Sequence, residues 1–154
     1  FKMIKIYYLY LIFILIISCN QSNIYSNYYN FEDKTWHSDS SIVFDFNSRN
    51  EELLNFNLIL SYSNEYPFQN IYSSYSLLDS EKNIVKSDMI ELQLFDKKYG
   101  YPLGDGIFKN FTVDTLIIKS LKIKKNAEYT LLVKHSMRDD KLPGISRLAL
   151  VVEK

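Results

Sequence analysis

The segment FNLILSY, residues 56–62, carries a large apolar or aromatic side chain at every second position. Consecutive side chains of a β-strand point to opposite faces, so a period of two places Phe56, Leu58 and Leu60 on one face. This segment therefore predicts a strand that packs one face on a core.

Four more segments repeat the period, at residues 42–47, 90–94, 129–135 and 148–152, and short polar turns separate the runs. Several strands joined by short polar connections predict an all-β protein, an antiparallel β-sandwich of the jelly-roll or immunoglobulin-like type. The only helical pattern is a single turn near residues 51–54. The predicted core consists of Phe44, Phe46, Leu58, Leu60, Leu92, Leu131, Val133 and Leu150.

The amino-terminal segment has the layout of a secretory signal peptide, with Lys2 and Lys5 before an apolar run at residues 6–17. The run is about a dozen residues, whereas a membrane-spanning helix needs about 20. Its end, Ile16-Ile17-Ser18-Cys19, resembles a bacterial lipobox, in which the cysteine is lipidated and becomes the first mature residue. Cys19 is the only cysteine. The alternatives are a short membrane helix, or a buried helix followed by a free thiol.

These patterns divide the chain into three parts. Residues 1–18 are predicted to be a cleaved lipoprotein signal peptide, and residues 19–30, which are polar and aromatic without a period, to be a lipidated tether. Residues 31–154 are predicted to form one β-sandwich domain.

The charge balance excludes some partners. The chain has 18 basic and 18 acidic residues, and cleavage after Ser18 leaves a small acidic excess. No basic face is suggested, which argues against nucleic acid as a partner. A single cysteine also excludes an intramolecular disulfide.

No catalytic, metal or cofactor site is predicted. His37 and His135 are the only histidines, and neither has a second ligand at a metal-binding spacing. His135 falls on the apolar face of its strand and is predicted to be half-buried and hydrogen-bonded. No serine lies in a Gly-x-Ser-x-Gly motif, and no glycine-rich phosphate motif is present. The sole tryptophan, Trp36, is predicted to be a core anchor.

Residues 96–110 form the longest stretch without a period and hold three of the four glycines. Such a loop is either functional or a long connection between the sheets.

Three segments resemble the gliding motility lipoprotein GldH family of the Bacteroidetes. They are HSMRDDKLPGI at residues 135–145, LIL followed by EYPFQNIY within residues 58–72, and the glycine-rich loop at residues 100–106. The chain departs from the family at Tyr101-Pro102, where a tryptophan is usual, and at Ala149, where glycine is common. The signature residues, either structural or partner-contacting, are Tyr66, Pro67, Asn70, Gly104, Gly106, Met137, Arg138, Gly144 and Ile145.

The resemblance implies a non-enzymatic accessory of the gliding or type IX secretion machinery. The lipobox predicts attachment to the membrane through an N-terminal lipid, and the absence of an acidic cluster directly after Cys19 favours an anchor that faces the periplasm. Its partners would be envelope proteins of that machinery, with no nucleic acid, small-molecule substrate or cofactor. The alternative is a carbohydrate-binding lipoprotein that uses the Tyr99 and Tyr101 rings. Arg138 is expected to support the fold by hydrogen bonds across its turn, with a partner contact as the alternative.

Overall fold

The computed structural model describes residues 23–154, so the predicted signal peptide and Cys19 lie outside the described residues. Apart from a 3₁₀ turn at Glu32–Lys34, every regular element within these described residues is a strand. The strands are β1 (Asn23–Asn30), β2 (Thr35–His37), β3 (Ile42–Asn47), β4 (Glu52–Ser63), β5 (Asn70–Leu78), β6 (Ile84–Gln93), β7 (Asp105–Ile107), β8 (Asn110–Ile123), β9 (Glu128–His135), β10 (Lys141–Pro143) and β11 (Ile145–Glu153).

Two antiparallel sheets form the sandwich. One has the order β1-β11-β4-β8-β7 and the other β3-β9-β5-β6, while β2 and β10 pair separately. The eight long strands alternate between the sheets except at the β5–β6 hairpin, which is the strand order of a jelly roll. Of the two sandwich types expected, the jelly roll is therefore the one observed.

The core lies between the sheets and follows the period of two. All eight predicted core side chains are buried, and Phe56, Leu77 and Leu150 have no exposed surface. The helical turn expected near residues 51–54 is wrong, because β4 begins at Glu52. Its alternating burial shows that the apolar period continues to this end of the strand.

The tether prediction needs correction, because residues 23–30 form strand β1, which pairs along its length with β11. Most side chains of β1 are exposed on both faces, and only Ile24 and Tyr25 are half-buried. An edge strand of this kind is held by backbone hydrogen bonds more than by side-chain burial. It therefore shows no apolar period.

Trp36 is a core anchor, as predicted. It lies on β2 with 1% of its surface exposed. Its ring centroid is 5.1 Å from that of Phe31 and 5.5 Å from that of His135. The indole therefore ties the small β2–β10 sheet to the main core.

The strand register gives the sandwich two distinct ends. The first, called the amino-terminal end, holds Asn23 at the start of β1 and the short connections at residues 48–51, 79–83 and 124–127. The opposite end, called the loop end, holds the longer connections at residues 64–69, 94–104 and 136–140. The two-residue turn at residues 108–109 also lies at the loop end.

Candidate functional site

The nine signature residues, separated by up to 79 positions in sequence, all lie at the loop end. Tyr66 and Pro67 lie in the β4–β5 connection, and Asn70 begins β5. Gly104 precedes β7 and Gly106 lies within it. Met137, Arg138, Gly144 and Ile145 lie between the end of β9 and the start of β11. The fold thus brings together what the sequence keeps apart.

Tyr66 and Gly144 form the structural centre of this end. The Tyr66 side chain is 4% exposed, and its hydroxyl donates to the Asn70 carbonyl at 2.9 Å. Gly144 has a φ of +81°, and a side chain there would collide with the Tyr66 backbone nitrogen. The Ser63 amide donates to the Gly144 carbonyl at 2.8 Å. These two signature residues therefore fix the crossing of two connections.

Burial also sets the ionisation of Tyr66. It raises the pKa of the Tyr66 phenol well above the ordinary value of 10.0, and the nearby Asp139 carboxylate raises it further. The phenol therefore stays protonated and remains a hydrogen-bond donor at physiological pH.

Gly104 and Gly106 are needed because the chain before and within β7 lies directly against β8. A side chain on Gly104 would come within 2.7 Å of the Thr112 carbonyl oxygen, and one on Gly106 would collide with the Asn110 carbonyl. The Gly104 amide donates to the Tyr62 hydroxyl at 2.9 Å, and that hydroxyl donates to the Leu94 carbonyl at 2.6 Å. The buried Tyr62 hydroxyl therefore links the glycine-rich loop to the segment that follows β6.

The sequence assigned Tyr62 only to the apolar face of β4 and missed this role. Its ring fits that face well, so the period of two carried no signal that its hydroxyl would bind two connections.

Met137 and Arg138 border a shallow apolar cavity of about 320 Å³ on the outer side of the β5 sheet. Phe68, Tyr72, Ser136 and Asp139 complete its lining. The Met137 sulfur accepts a hydrogen bond from the Tyr72 amide at 3.3 Å. This contact fastens the segment after β9 to the start of β5.

The hydrogen bonds expected from Arg138 across its turn are absent within residues 23–154. Arg138 is exposed and makes neither a hydrogen bond nor an ion pair with any residue in 23–154. A solvent-exposed guanidinium beside an apolar cavity can bind a carboxylate of another molecule. The partner contact, the alternative expected for Arg138, stays a prediction.

Residues 96–110, expected to be a long loop without regular structure, contain a small hairpin and strand β7. The Asp96 amide donates to the Tyr101 carbonyl at 2.9 Å, and Phe95 pairs with Pro102. The chain then enters β7. The Tyr99 and Tyr101 rings project from this small hairpin, 69% and 54% exposed, with parallel planes 11° apart and centroids separated by 6.2 Å.

The β7–β8 turn presents an unusual apolar tip that the sequence reading missed. Phe108 is 93% exposed and Ile107 is 76% exposed. Phe108 also has a φ of +61°, a conformation costing a non-glycine residue roughly 1–2 kcal/mol. A two-residue hairpin turn requires positive φ values, so the turn accounts for this backbone conformation and leaves the Phe108 ring outside the core.

His135 is buried as its strand position predicts, but it is not hydrogen-bonded as expected. It is 6% exposed, and neither ring nitrogen has a partner within residues 23–154. Its cross-strand neighbour, Ser73, also has a buried hydroxyl without a partner there. Burial lowers the pKa of His135, the Asp140 carboxylate opposes that shift, and His37 adds to it.

We expect the free energy of unfolding to fall as the pH is lowered from 7 to 5. Folded His135 has a depressed pKa and resists protonation, whereas the unfolded side chain takes up a proton near pH 6.5. The stabilisation is therefore complete above about pH 6.5 and is lost below it. Urea unfolding at several pH values should show this loss in the wild type and a much smaller one in His135→Leu. A His37→Asn control should keep it, and an unchanged pH dependence in His135→Leu would contradict the assignment.

The remaining chemistry is sparse. Within residues 23–154, no three His, Cys, Asp or Glu side chains come together as a metal site would require. The described part of the chain also contains no helix long and apolar enough to cross a membrane.

Several solved structures share a general likeness with this chain. The infectious bursal disease virus VP2 subviral particle is 13% identical with a TM-score of 0.40, covering 85% of this chain and 33% of that one. The mosquito-larvicidal Cry4Aa toxin of Bacillus thuringiensis is 10% identical with a TM-score of 0.48, covering 84% of this chain and 24% of that one. This chain thus spans a third or less of either protein. The CBM36-1 domain of a xylanase from the hindgut metagenome of Trinervitermes trinervoides is 10% identical with a TM-score of 0.41, covering 85% of this chain and 90% of that domain. These scores carry no argument about function.

A comparison with curated protein sequences finds no match. A family model, described as GldH lipoprotein, matches residues 23–152, which is almost all of the described chain. The match includes β1 and all nine signature residues. The chain belongs to the GldH lipoprotein family, a family of membrane-anchored lipoproteins associated with gliding motility.

Proposed function

We propose that this protein is a non-enzymatic, lipid-anchored accessory of the gliding and type IX secretion machinery that docks envelope proteins at its loop end. The observation that carries the proposal is the gathering of the signature residues at the end of the sandwich opposite Asn23, where Arg138 has no partner among residues 23–154. The lipid sits on Cys19, and the domain faces the periplasm.

The position of β1 determines how the domain would be held. Because β1 begins at Asn23, only residues 20–22 separate a lipidated Cys19 from the folded sheet. The four steps along the chain from Cys19 to Asn23 span at most about 14 Å. The amino-terminal end therefore lies close to the membrane surface.

The loop end would then project away from that surface. Strand β8 alone has 14 residues and spans roughly 45 Å between the two ends. Such a distance presents Arg138 and the neighbouring apolar cavity to proteins beyond the reach of the lipid headgroups.

The surface around Arg138 has the composition of a protein contact. Its cavity has apolar walls supplied by Phe68, Tyr72 and Met137, and the charged Arg138 and Asp139 lie at its margin. An apolar centre with a polar rim, rich in aromatic residues, Met and Arg, is typical of protein interfaces.

One experiment tests both parts of the proposal. Full-length wild type, Cys19→Ser, Arg138→Glu and Arg49→Glu are expressed in the native host, labelled with palmitate, fractionated and crosslinked. Arg49 is the matched control, because it is exposed like Arg138 but lies in the 48–51 connection at the amino-terminal end.

We expect palmitate in every protein except Cys19→Ser, which should leave the membrane fraction. Arg138→Glu should keep the wild-type melting temperature and lose at least fivefold of the crosslinked envelope partner, whereas Arg49→Glu should lose none. Label retained by Cys19→Ser would refute the anchor. Equal partner recovery from both arginine variants, or a lower melting temperature in Arg138→Glu, would refute the docking surface.

A second candidate is carbohydrate binding by Tyr99 and Tyr101, favoured by their exposed and nearly parallel rings. It ranks lower because the Lys98 ammonium lies 4.8 Å from the Tyr99 ring centroid and covers one face. Retention on insoluble polysaccharide that is lost in Tyr101→Ala would favour it.

A further inference from the structure

The outer edge of β8 is open along most of its length. On one side β8 pairs with β4 throughout, but on the other it pairs with β7 only at residues 110–112. From Val113 onward, no described strand covers this edge. The edge lies on the sheet opposite Arg138, so it is separate from the docking surface proposed above.

The direction of the backbone groups follows from the glycines. Gly106 and Gly104 lie against the carbonyls of Asn110 and Thr112, so those carbonyls face the β7 side. Backbone groups alternate in direction along an antiparallel strand. The N–H and C=O groups of Asp114 and Leu116 therefore point to the open edge.

The register supports a regular edge here. Residues 113–116 pair in step with β4, and the first irregularity comes after Leu116. Natural edge strands are commonly blunted by bulges, and β8 has them only beyond this point. Four residues of straight, unpaired edge remain available in line with β7.

A cavity of about 440 Å³ marks the place where β7 leaves this edge. Ile59 and Leu103 supply apolar walls, and Asp105 and Asp114 supply carboxylates. Both carboxylates are exposed, and neither forms an ion pair within residues 23–154. Leu103 and Leu116 beside the cavity are each 47% exposed.

We propose that the open edge of β8 at Val113–Leu116 binds an extended segment of a partner protein, which adds a strand in line with β7 and places a lysine or arginine side chain in the cavity between Asp105 and Asp114. Added strands obtain affinity from main-chain hydrogen bonds and specificity from pockets for alternate side chains. A lysine or arginine fits this pocket because its apolar stem packs on apolar walls while its head stays charged.

The charge of the edge decides between this occupant and a second copy of the chain. Antiparallel self-pairing centred on residue 114 would place Asp114 opposite the same carboxylate of the other copy. Centring it on residue 115 would confine the regular pairing to a few residues, far below the area of a stable dimer. A basic extended segment satisfies both the backbone and the carboxylates.

The test uses the full lipidated chain in detergent and hydrogen–deuterium exchange at residue resolution. The probe is a capped seven-residue peptide of alternating valine and threonine with one central lysine, and its counterpart carries glutamate instead. Exchange at the amides of Asp114 and Leu116 is measured with each peptide in the wild type and in Asp114→Asn. In Leu116→Pro, which has no amide at position 116, exchange is measured at the Asp114 amide alone.

We expect the lysine peptide to slow exchange of both amides at least fivefold in the wild type, and the glutamate peptide to have no effect. Asp114→Asn should weaken binding severalfold. Leu116→Pro should abolish it, because proline removes an N–H that makes no internal bond at this edge, and the melting temperature should change little. Absence of protection, equal protection by both peptides, or protection that rises with protein concentration alone would each overturn the proposal.

Discussion

Gly144→Ala is expected to lower the free energy of unfolding by at least about 3 kcal/mol. The left-handed conformation at φ +81° costs alanine roughly 1–2 kcal/mol. The added methyl group would also meet the Tyr66 backbone and lie 2.9 Å from the Glu65 carbonyl carbon, so two connections would have to move apart. Urea unfolding of residues 20–154, followed by far-UV circular dichroism, measures the loss.

Gly100→Ala is the matched control, because Gly100 has a φ of +70° but no atom within 4 Å of the added carbon. It should lose only the conformational cost, about 1 kcal/mol. If the two alanine variants were equally stable, the close contact with Tyr66 would not be the reason that position 144 requires glycine.

Trp36→Ala is expected to lower the free energy of unfolding by about 3–5 kcal/mol, the range for removing a large buried aromatic side chain. Trp36 contacts Phe31 and His135, so its loss would also detach the β2–β10 sheet from the core. Because Trp36 is the only tryptophan, the variant must be followed by circular dichroism rather than fluorescence. The exposed Tyr99→Ala should change stability by less than about 0.5 kcal/mol. A Trp36→Ala protein as stable as that control would contradict the assignment of Trp36 as an anchor.

The sandwich could be predicted because its core strands have one face buried and one face toward solvent. In β3, β4, β9 and β11 this geometry requires apolar residues at every second position, and the sequence shows that period. The predicted strands and their eight core residues are confirmed for that reason.

The edges of the sheets were harder to predict, for a physical reason. Strand β1 is held by its backbone pairing with β11 and buries little side-chain surface. Its sequence therefore shows no period of two and was interpreted as part of a tether. In β8, the irregularities after Leu116 interrupt the alternation of its side chains. Backbone hydrogen bonds do not depend on side-chain type, so a strand held mainly by them cannot be recognised from the pattern of apolar side chains.

The loop end shows a similar limit. The resemblance identified Tyr66, Gly144 and Arg138, but only the topology shows that they share one end of the sandwich. Within the described residues, Arg138 and His135 make no hydrogen bond, and the Phe108 ring is exposed. Each of these properties depends on the surroundings of one side chain. Sequence spacing does not encode those surroundings.

The position of β11 between β1 and β4 has a consequence for the order of folding. β11 follows every other strand in the sequence, yet it is an inner strand of its sheet. Leu150 of β11 pairs with Leu58 of β4, more than 90 residues earlier, and such distant pairings form slowly. The β5–β6 hairpin can form while the chain is still growing, whereas the first sheet cannot close before β11 has been synthesised. The pairing of β11 with β4 is therefore expected to form late in folding, and β1, which pairs only with β11, can join the sheet only after it.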